Sequence, residues 1–142
     1  MAEQFQVGWR EWLALPELGL DRIKAKIDTG ARTSCLHAFE VTPFKKNGEQ
    51  WVEFWIHPHQ NDTETTLRCE AKVKDSRVVT DSGGHRERRF VIESMLEIAD
   101  HRWPIEITLT NRDSMKFRML LGRTAMNGRI IVDPAASFLT GQ

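Results

Sequence analysis

Apolar and polar residues alternate along much of the chain. In Arg22-Ile23-Lys24-Ala25-Lys26-Ile27-Asp28 the apolar residues fall at every second position, the period that turns one face of a β-strand inward and the other toward solvent. Comparable runs cover Phe5 to Leu15, Trp51 to His57, Thr66 to Val73, Arg89 to Ile98 and Trp103 to Leu109. Between them lie Lys46-Asn47-Gly48 and Gln60-Asn61-Asp62, whose Asn and Gly tolerate the backbone that tight turns demand. A further cluster, Thr80-Asp81-Ser82-Gly83-Gly84-His85, joins two strand-like runs and predicts a hairpin tip. Only after Gly122 does the pattern turn helical. There Arg123 to Asn127 predicts one short helix ending at Gly128, and Arg129 to Val132 returns to strand.

The size of the chain, 142 residues, predicts a single domain over 1–142. Lys and Arg number 20, as do Asp and Glu. That balance lacks the basic excess of a phosphate-backbone binder and argues against nucleic acid as a partner. No stretch is long and apolar enough for a membrane span, and the N-terminus lacks the basic and apolar regions of an export signal. A cytoplasmic protein with no membrane partner is expected. Cys35 and Cys69 have no CxxC spacing, so neither a disulfide framework nor a thiolate metal site is predicted. His57-Pro58-His59 places two rings on one strand face, but spacing fixes no third ligand. Neither a metal nor any other cofactor is predicted. His37, His85 and His101 are expected at the surface or in loops.

The sharpest chemical feature is Ile27-Asp28-Thr29-Gly30-Ala31, an alternating strand that ends in an acid, a small hydroxyl residue and a glycine. A carboxylate at such a position can serve as a general acid or base. Direct hydrolysis of an amide by water calls for a second carboxyl beside it, one ionised to take the proton and one protonated to polarise the carbonyl. Some ninety residues later Met119-Leu120-Leu121-Gly122-Arg123 runs an apolar strand into a glycine. Together these two motifs resemble the retropepsin-like aspartic peptidases. The blocks Lys24 to Ser34, Met119 to Met126 and Val132-Asp133-Pro134 are more narrowly similar to a bacterial branch once called ATP-dependent zinc proteases. That older name fits poorly, because the chain has neither His-Glu-x-x-His nor a Gly-rich loop ending in Gly-Lys-Ser/Thr.

The resemblance implies a retropepsin-like closed β-barrel of the acid-protease type, with one short C-terminal helix and a β-hairpin flap. It makes Asp28 the catalytic carboxylate, Thr29 the hydroxyl that ties two symmetry-related loops, and Gly30 the position of close backbone approach. Ala31, Leu120, Leu121 and Gly122 become the support beneath that loop. Arg32, Arg123 and the flap residues Gly83, Gly84, His85 and Arg86 become candidates for substrate binding, with Arg88 and Arg89 adding positive charge that suits a Glu-rich peptide. Retroviral members of the wider family commonly carry, where this chain has Arg32, an acid that pairs with the Arg after the later glycine, which leaves the partner of Arg123 open.

Asp81-Ser82-Gly83 offers a second Asp-Ser-Gly, but the separation of 53 positions between the acids is too short for a second lobe. The second carboxyl is therefore expected from Asp28 of another copy, on the axis of a homodimer. The predicted function is an aspartic endopeptidase acting on protein or peptide substrates. The rival is a non-catalytic binding or regulatory module of the same fold, acting with an ATP-grasp glutamate ligase of the kind associated with some family members.

Overall fold

The computed structural model describes residues 4–59, 62–80, 83–111 and 117–141. Among them the chain is mainly β. Strand β1 spans Phe5–Val7 and β2 Arg10–Leu15; a single 3-10 turn, Pro16–Leu18, leads to β3, Leu20–Ile27. The strands β4, Ser34–His37, β5, Phe39–Lys46, and β6, Glu49–Ile56, follow. The longest strands are β7, Leu67–Thr80, and β8, Arg86–Ile98; β9 covers His101–Thr110 and β10 Met119–Leu121. Helix α1, Arg123–Met126, and β11, Ile130–Val132, complete the order.

Alternation is converted directly into burial. Along β3 Ile23, Ala25 and Ile27 are buried while Arg22 and Lys26 are exposed, and along β6 Val52, Phe54 and Ile56 go inward. With Leu36, Ile92, Leu96, Ile107, Met119 and Leu121 they join one apolar cluster. Each Val, Ile, Leu, Phe or Met fully buried there contributes about 1.5–3 kcal/mol relative to exposure. The run Phe5–Leu15 is broken into β1 and β2 at Gly8, because that residue lies against the backbone of the C-terminal segment: a Cβ there would come within 2.2 Å of Ala136 O. The Lys46-Asn47-Gly48 turn forms as expected, with Asn47 and Gly48 at φ 54° and 78° between paired Lys46 and Glu49.

Nine strands form one sheet in the order β2-β3-β10-β4-β9-β8-β7-β6-β5, and Ala14 of β2 also pairs with Glu97 of β8, so the pairing returns on itself. Strands β1 and β11 form a separate parallel pair. The insertion of β10 between β3, to which it is parallel, and β4, to which it is antiparallel, positions the site. It brings Leu121 beside Ile27, one residue before Asp28. No helix among the described residues is long and apolar enough to cross a membrane.

Candidate active site

Strand β3 delivers Asp28 into a turn held from both sides by main-chain bonds. The Asp28 N–H donates to Leu121 O at 2.9 Å, and the Ile27 N–H donates to Trp9 O at 2.8 Å. On the far side of the turn Arg123 N–H donates to Ala31 O at 2.8 Å and Thr124 N–H to Arg32 O at 2.9 Å. Asp28 is half-buried, and one of its oxygens, Oδ1, accepts the Gly30 N–H at 3.0 Å. A Cβ on Gly30 would sit 3.3 Å from that oxygen, so the absence of a side chain leaves the carboxylate uncrowded.

Gly122 has a stricter role. Its Cα faces the β4 entrance so closely that a Cβ would lie 2.5 Å from the Thr33 carbonyl carbon and 2.8 Å from Ser34 N. Its N–H donates to the buried Ser34 Oγ at 3.0 Å, and Ser34 O in turn accepts Thr108 Oγ1 at 3.2 Å. Leu121 is buried, and Leu120 is half-buried at the cleft. The short helix α1 starts at Arg123 and is anchored by Trp103 Nε1, which donates to Ala125 O at 2.9 Å. It ends one residue earlier than the sequence predicts, at Met126, with Gly128 at φ 77° two residues on.

The Asp28 turn opens on a cleft of about 1150 Å³. Asp28, Gly30, Ala31, Arg32, Leu120 and Arg123 line it, so the first motif and the second meet there as expected. Thr29 is exposed, and its carbonyl receives Arg123 Nη1 at 3.1 Å, which gives Arg123 the partner the sequence leaves open. The β7/β8 hairpin supplies a wall through Arg77, Val78, Val79, Thr80 and Arg89. Its end residues Gly83, Gly84, His85 and Arg86 are exposed near the tip and do not line the cleft; Arg88 turns away toward Ser76 Oγ, 3.4 Å from its Nη1. Asp81 and Ser82 lie outside the described residues, as do Gln60 and Asn61.

The structure adds residues that the sequence did not single out. Glu106, Thr108 and Thr110 of β9 reach the cleft because β9 lies beside β4. Arg77 bonds Asp75 at 2.7 Å and Glu106 at 2.9 Å, and Lys74 lies 3.1 Å from Glu106. These cations, Arg77 first, hold the Glu106 carboxyl below the ordinary carboxylate range. Alternation places residues of β9 on one face, but only the cross-strand pairing says what that face meets.

His37, expected at the surface, is buried at 4% exposure on β4, because every residue of that short strand is covered. His57 stacks on Phe39 with ring centroids 4.5 Å apart, and the His37 ring is 6.0 Å away. Among the described residues no group of three or more His, Cys, Asp or Glu could hold a metal ion. Cys69 is buried, donates to Leu18 O at 3.4 Å and has its thiol pushed up to about 11 by burial, which disfavours the reactive thiolate. Cys35 is buried too, but it is among the residues that line the cleft.

Residues 6–142 match the family described as RimB-like, retropepsin-like aspartic endopeptidase RimB. The chain belongs to that family. Curated relatives of this RimB-like chain include a protein of Shewanella halifaxensis named probable alpha-L-glutamate ligase, 52% identical over 139 residues, which cover 98% of this chain and 30% of that protein. One from Parasynechococcus marenigrum with the same name is 48% identical over 99% of this chain and 30% of its own length. The RimB-like chain thus spans about 30% of the curated relatives it matches. Among solved structures, Lpg0085 of Legionella pneumophila, described as of unknown function, has a TM-score of 0.81 at 27% identity over 97% of this chain and 99% of that one.

Proposed function

We propose that this RimB-like chain is an aspartic endopeptidase whose active form is a homodimer, with a water held between the Asp28 carboxyls of two copies. The observation that carries the reading is the Asp28 turn itself: a half-buried carboxylate lining a large cleft, fixed by a main-chain bond to Leu121 O and by its own bond from Gly30 N–H. A carboxylate fixed in this way is preorganised for chemistry. In the paired site the ionised Asp28 takes a proton from water as its oxygen attacks the amide carbon, while the protonated copy donates to the carbonyl oxygen. The C–N bond then breaks as a proton passes to the leaving nitrogen. Thr29 ties the two turns, and Ala31, Leu120, Leu121 and Gly122 hold them.

The whole chain acts as one domain, and the pairing that closes β2 onto β8 supports reading the sheet as a barrel. The β7/β8 hairpin is the flap, with Gly83, Gly84, His85 and Arg86 moving over substrate that also meets Arg32 and Arg123. The cleft lining carries Arg32, Arg77, Arg89 and Arg123 against Asp28 and Glu106, which favours an acidic, Glu-rich peptide. Relatives named glutamate ligase contain a segment similar to this chain, and a ligase that adds glutamate makes substrates of that kind. The same observation favours a second reading, a regulatory module that docks an ATP-grasp ligase in the cytoplasm without cutting anything.

Cleavage of a mixed peptide library, read by mass spectrometry, separates the two. The endopeptidase predicts cleavage that disappears in Asp28→Asn, survives Asp81→Asn, and falls per protomer on dilution as dimers dissociate. An intact library with wild type at all concentrations gives the lead to the docking module.

A further inference from the structure

Among the described charged residues that line the cleft, Arg89 is the buried one, at 8% exposure. A guanidinium withdrawn from water has to be compensated, and here the compensation is partial. Nε donates to Glu87 Oε2 at 3.1 Å. Glu87 is itself fixed, because the Thr110 hydroxyl donates to its carboxylate from 2.9 and 3.2 Å. Nη1 points at Cys35 Sγ, 3.5 Å away, and a thiol is a weak acceptor. Nη2 has no hydrogen bond to any described residue and is not sealed from solvent, so it is the donor left open on the cleft side. The side chain is therefore held in place by one strong partner while part of its planar donor fork lacks a strong acceptor. That is the geometry in which Arg selects a planar oxyanion.

The other cations of the cleft differ from it. Arg77, the register partner of Arg89 across β7 and β8, is already satisfied by Asp75 and Glu106. Arg32 and Arg123 are exposed, so they add long-range attraction more than position. The distance from the reacting carboxylate follows from the pairing. Cys35 on β4 pairs with Leu120 on β10, and Leu120 pairs with Lys26 on β3, two residues before Asp28. Two strand spacings amount to roughly 10 Å, and an extended peptide rises about 3.3 Å per residue. Asp28 lies a further two residues, roughly 7 Å, along β3 from Lys26, so the Arg89 fork above Cys35 sits about 12 Å from Asp28 across the sheet, three to four residues of an extended peptide.

We propose that Arg89 is the specificity-determining residue of the cleft, receiving a carboxylate of the bound peptide three to four residues from the Asp28 carboxylate. The proposal deepens the endopeptidase reading and rests on it for the course of the peptide. The carboxylate can belong to a Glu or Asp side chain or to the peptide's C-terminus, since the guanidinium meets the same two oxygens in each.

The test uses the full chain and neutral peptides of one length, C-terminally amidated, in which a single Glu or Gln occupies each position in turn. A second arm pairs an otherwise neutral peptide with a free terminus against its amide. For wild type, the kcat/KM ratio of Glu over Gln, or of acid over amide, is expected to reach about tenfold at one position. In Arg89→Gln that ratio falls to near one. Arg89→Lys, which keeps the charge and loses the fork, falls between. Because Arg89→Gln leaves Glu87 with one partner fewer, the double variant Arg89→Gln/Glu87→Gln guards against misfolding and should lose the ratio equally. Binding of the same peptides to Asp28→Asn by calorimetry separates the two claims. An Arg89-dependent preference in binding, with no cleavage by wild type, overturns the endopeptidase and sustains Arg89. Cleavage whose acid preference is absent, or persists unchanged in Arg89→Gln, overturns the role of Arg89 alone.

Discussion

The cleft is built from two regions held by different forces. Its floor, the Asp28 turn with Leu121 to Thr124, is locked by main-chain bonds of 2.8–2.9 Å from strands that are far apart in sequence, and by a glycine seated on the Thr33 and Ser34 backbone. Its wall, the outer part of the β7/β8 hairpin, has a ladder from Ser76↔Phe90 to Thr80↔Arg86 and, apart from the buried Arg89, side chains partly or fully open to water, such as Val78 at 44% exposure. The charges beside it, Arg77 with Asp75 and Glu106, are partly exposed. Two-stranded ribbons are marginal on their own, and exposed ion pairs add little. The contrast fits a division of labour. Atoms that must meet within tenths of an ångström are set by backbone, and the part that must admit and release a chain is held weakly.

The contrast breaks most visibly at Gly122. In Gly122→Ala the new methyl meets backbone, not the end of a mobile side chain, so β10 has to move away from β4. Loss of about 2–3 kcal/mol is expected, read as a lower denaturant midpoint, with cleavage down by about 100-fold or more from displacement of the turn. Ser34→Ala should cost less. It leaves the Gly122 N–H buried without its Oγ acceptor, worth about 1–2 kcal/mol. On the wall, Arg88→Ala should stay within about 0.5 kcal/mol. If Arg88→Ala destabilised as much as Ser34→Ala, the distinction between a locked floor and a loosely held wall would be lost.

Most strands of the sheet were legible in the sequence, but neither the floor's locking nor the outer hairpin was, since β7 runs on past Val73 to Thr80 and β8 starts before Arg89 at Arg86. Strands β3 and β6, with the first half of β9, announce themselves because one face is buried and the other wetter, as Ile23, Ala25 and Ile27 against Arg22 and Lys26 show. Strand β4 gives no such signal, since Ser34, Cys35, Leu36 and His37 are all buried and a covered strand loses its alternation. Strand β5 was missed for the opposite reason. It lies at the sheet edge with Pro43 and a lysine pair largely exposed, the composition of a protected edge. Asp28 and the Leu-Leu-Gly run were visible as motifs. The clamp between them depends on β10 entering between β3 and β4, a pairing over some ninety residues that no local pattern encodes. Ser34, Glu106 and Thr110 were hidden for the same reason.

The smallest effect is a pH dependence confined to the wall. Glu106 is held below the ordinary carboxyl value of 4.5, by its bond from Arg77 first and from Lys74 second. A carboxyl whose value is lower folded than unfolded contributes its full stabilisation above the unfolded value and loses it as pH falls through the folded one. The ladder between β7 and β8 should therefore loosen as pH drops below about 4.5. With side-chain exposures of 41% for Arg77, 44% for Lys74 and 28% for Glu106, solvent screening keeps the contribution under about 1 kcal/mol. Hydrogen exchange on the full chain between pH 6 and 3, corrected for intrinsic rates, should show protection falling at Val78 and Arg88. The Asp28 and Arg123 amides, bonded to the carbonyls of Leu121 and Ala31, have acceptors that do not titrate. Glu106→Gln should flatten the acid-dependent part at the hairpin and leave those two amides as they were. Equal flattening in both regions would mean that the wall and the floor open as one cooperative unit, and the weak charges of the hairpin would then help to hold the Asp28 turn.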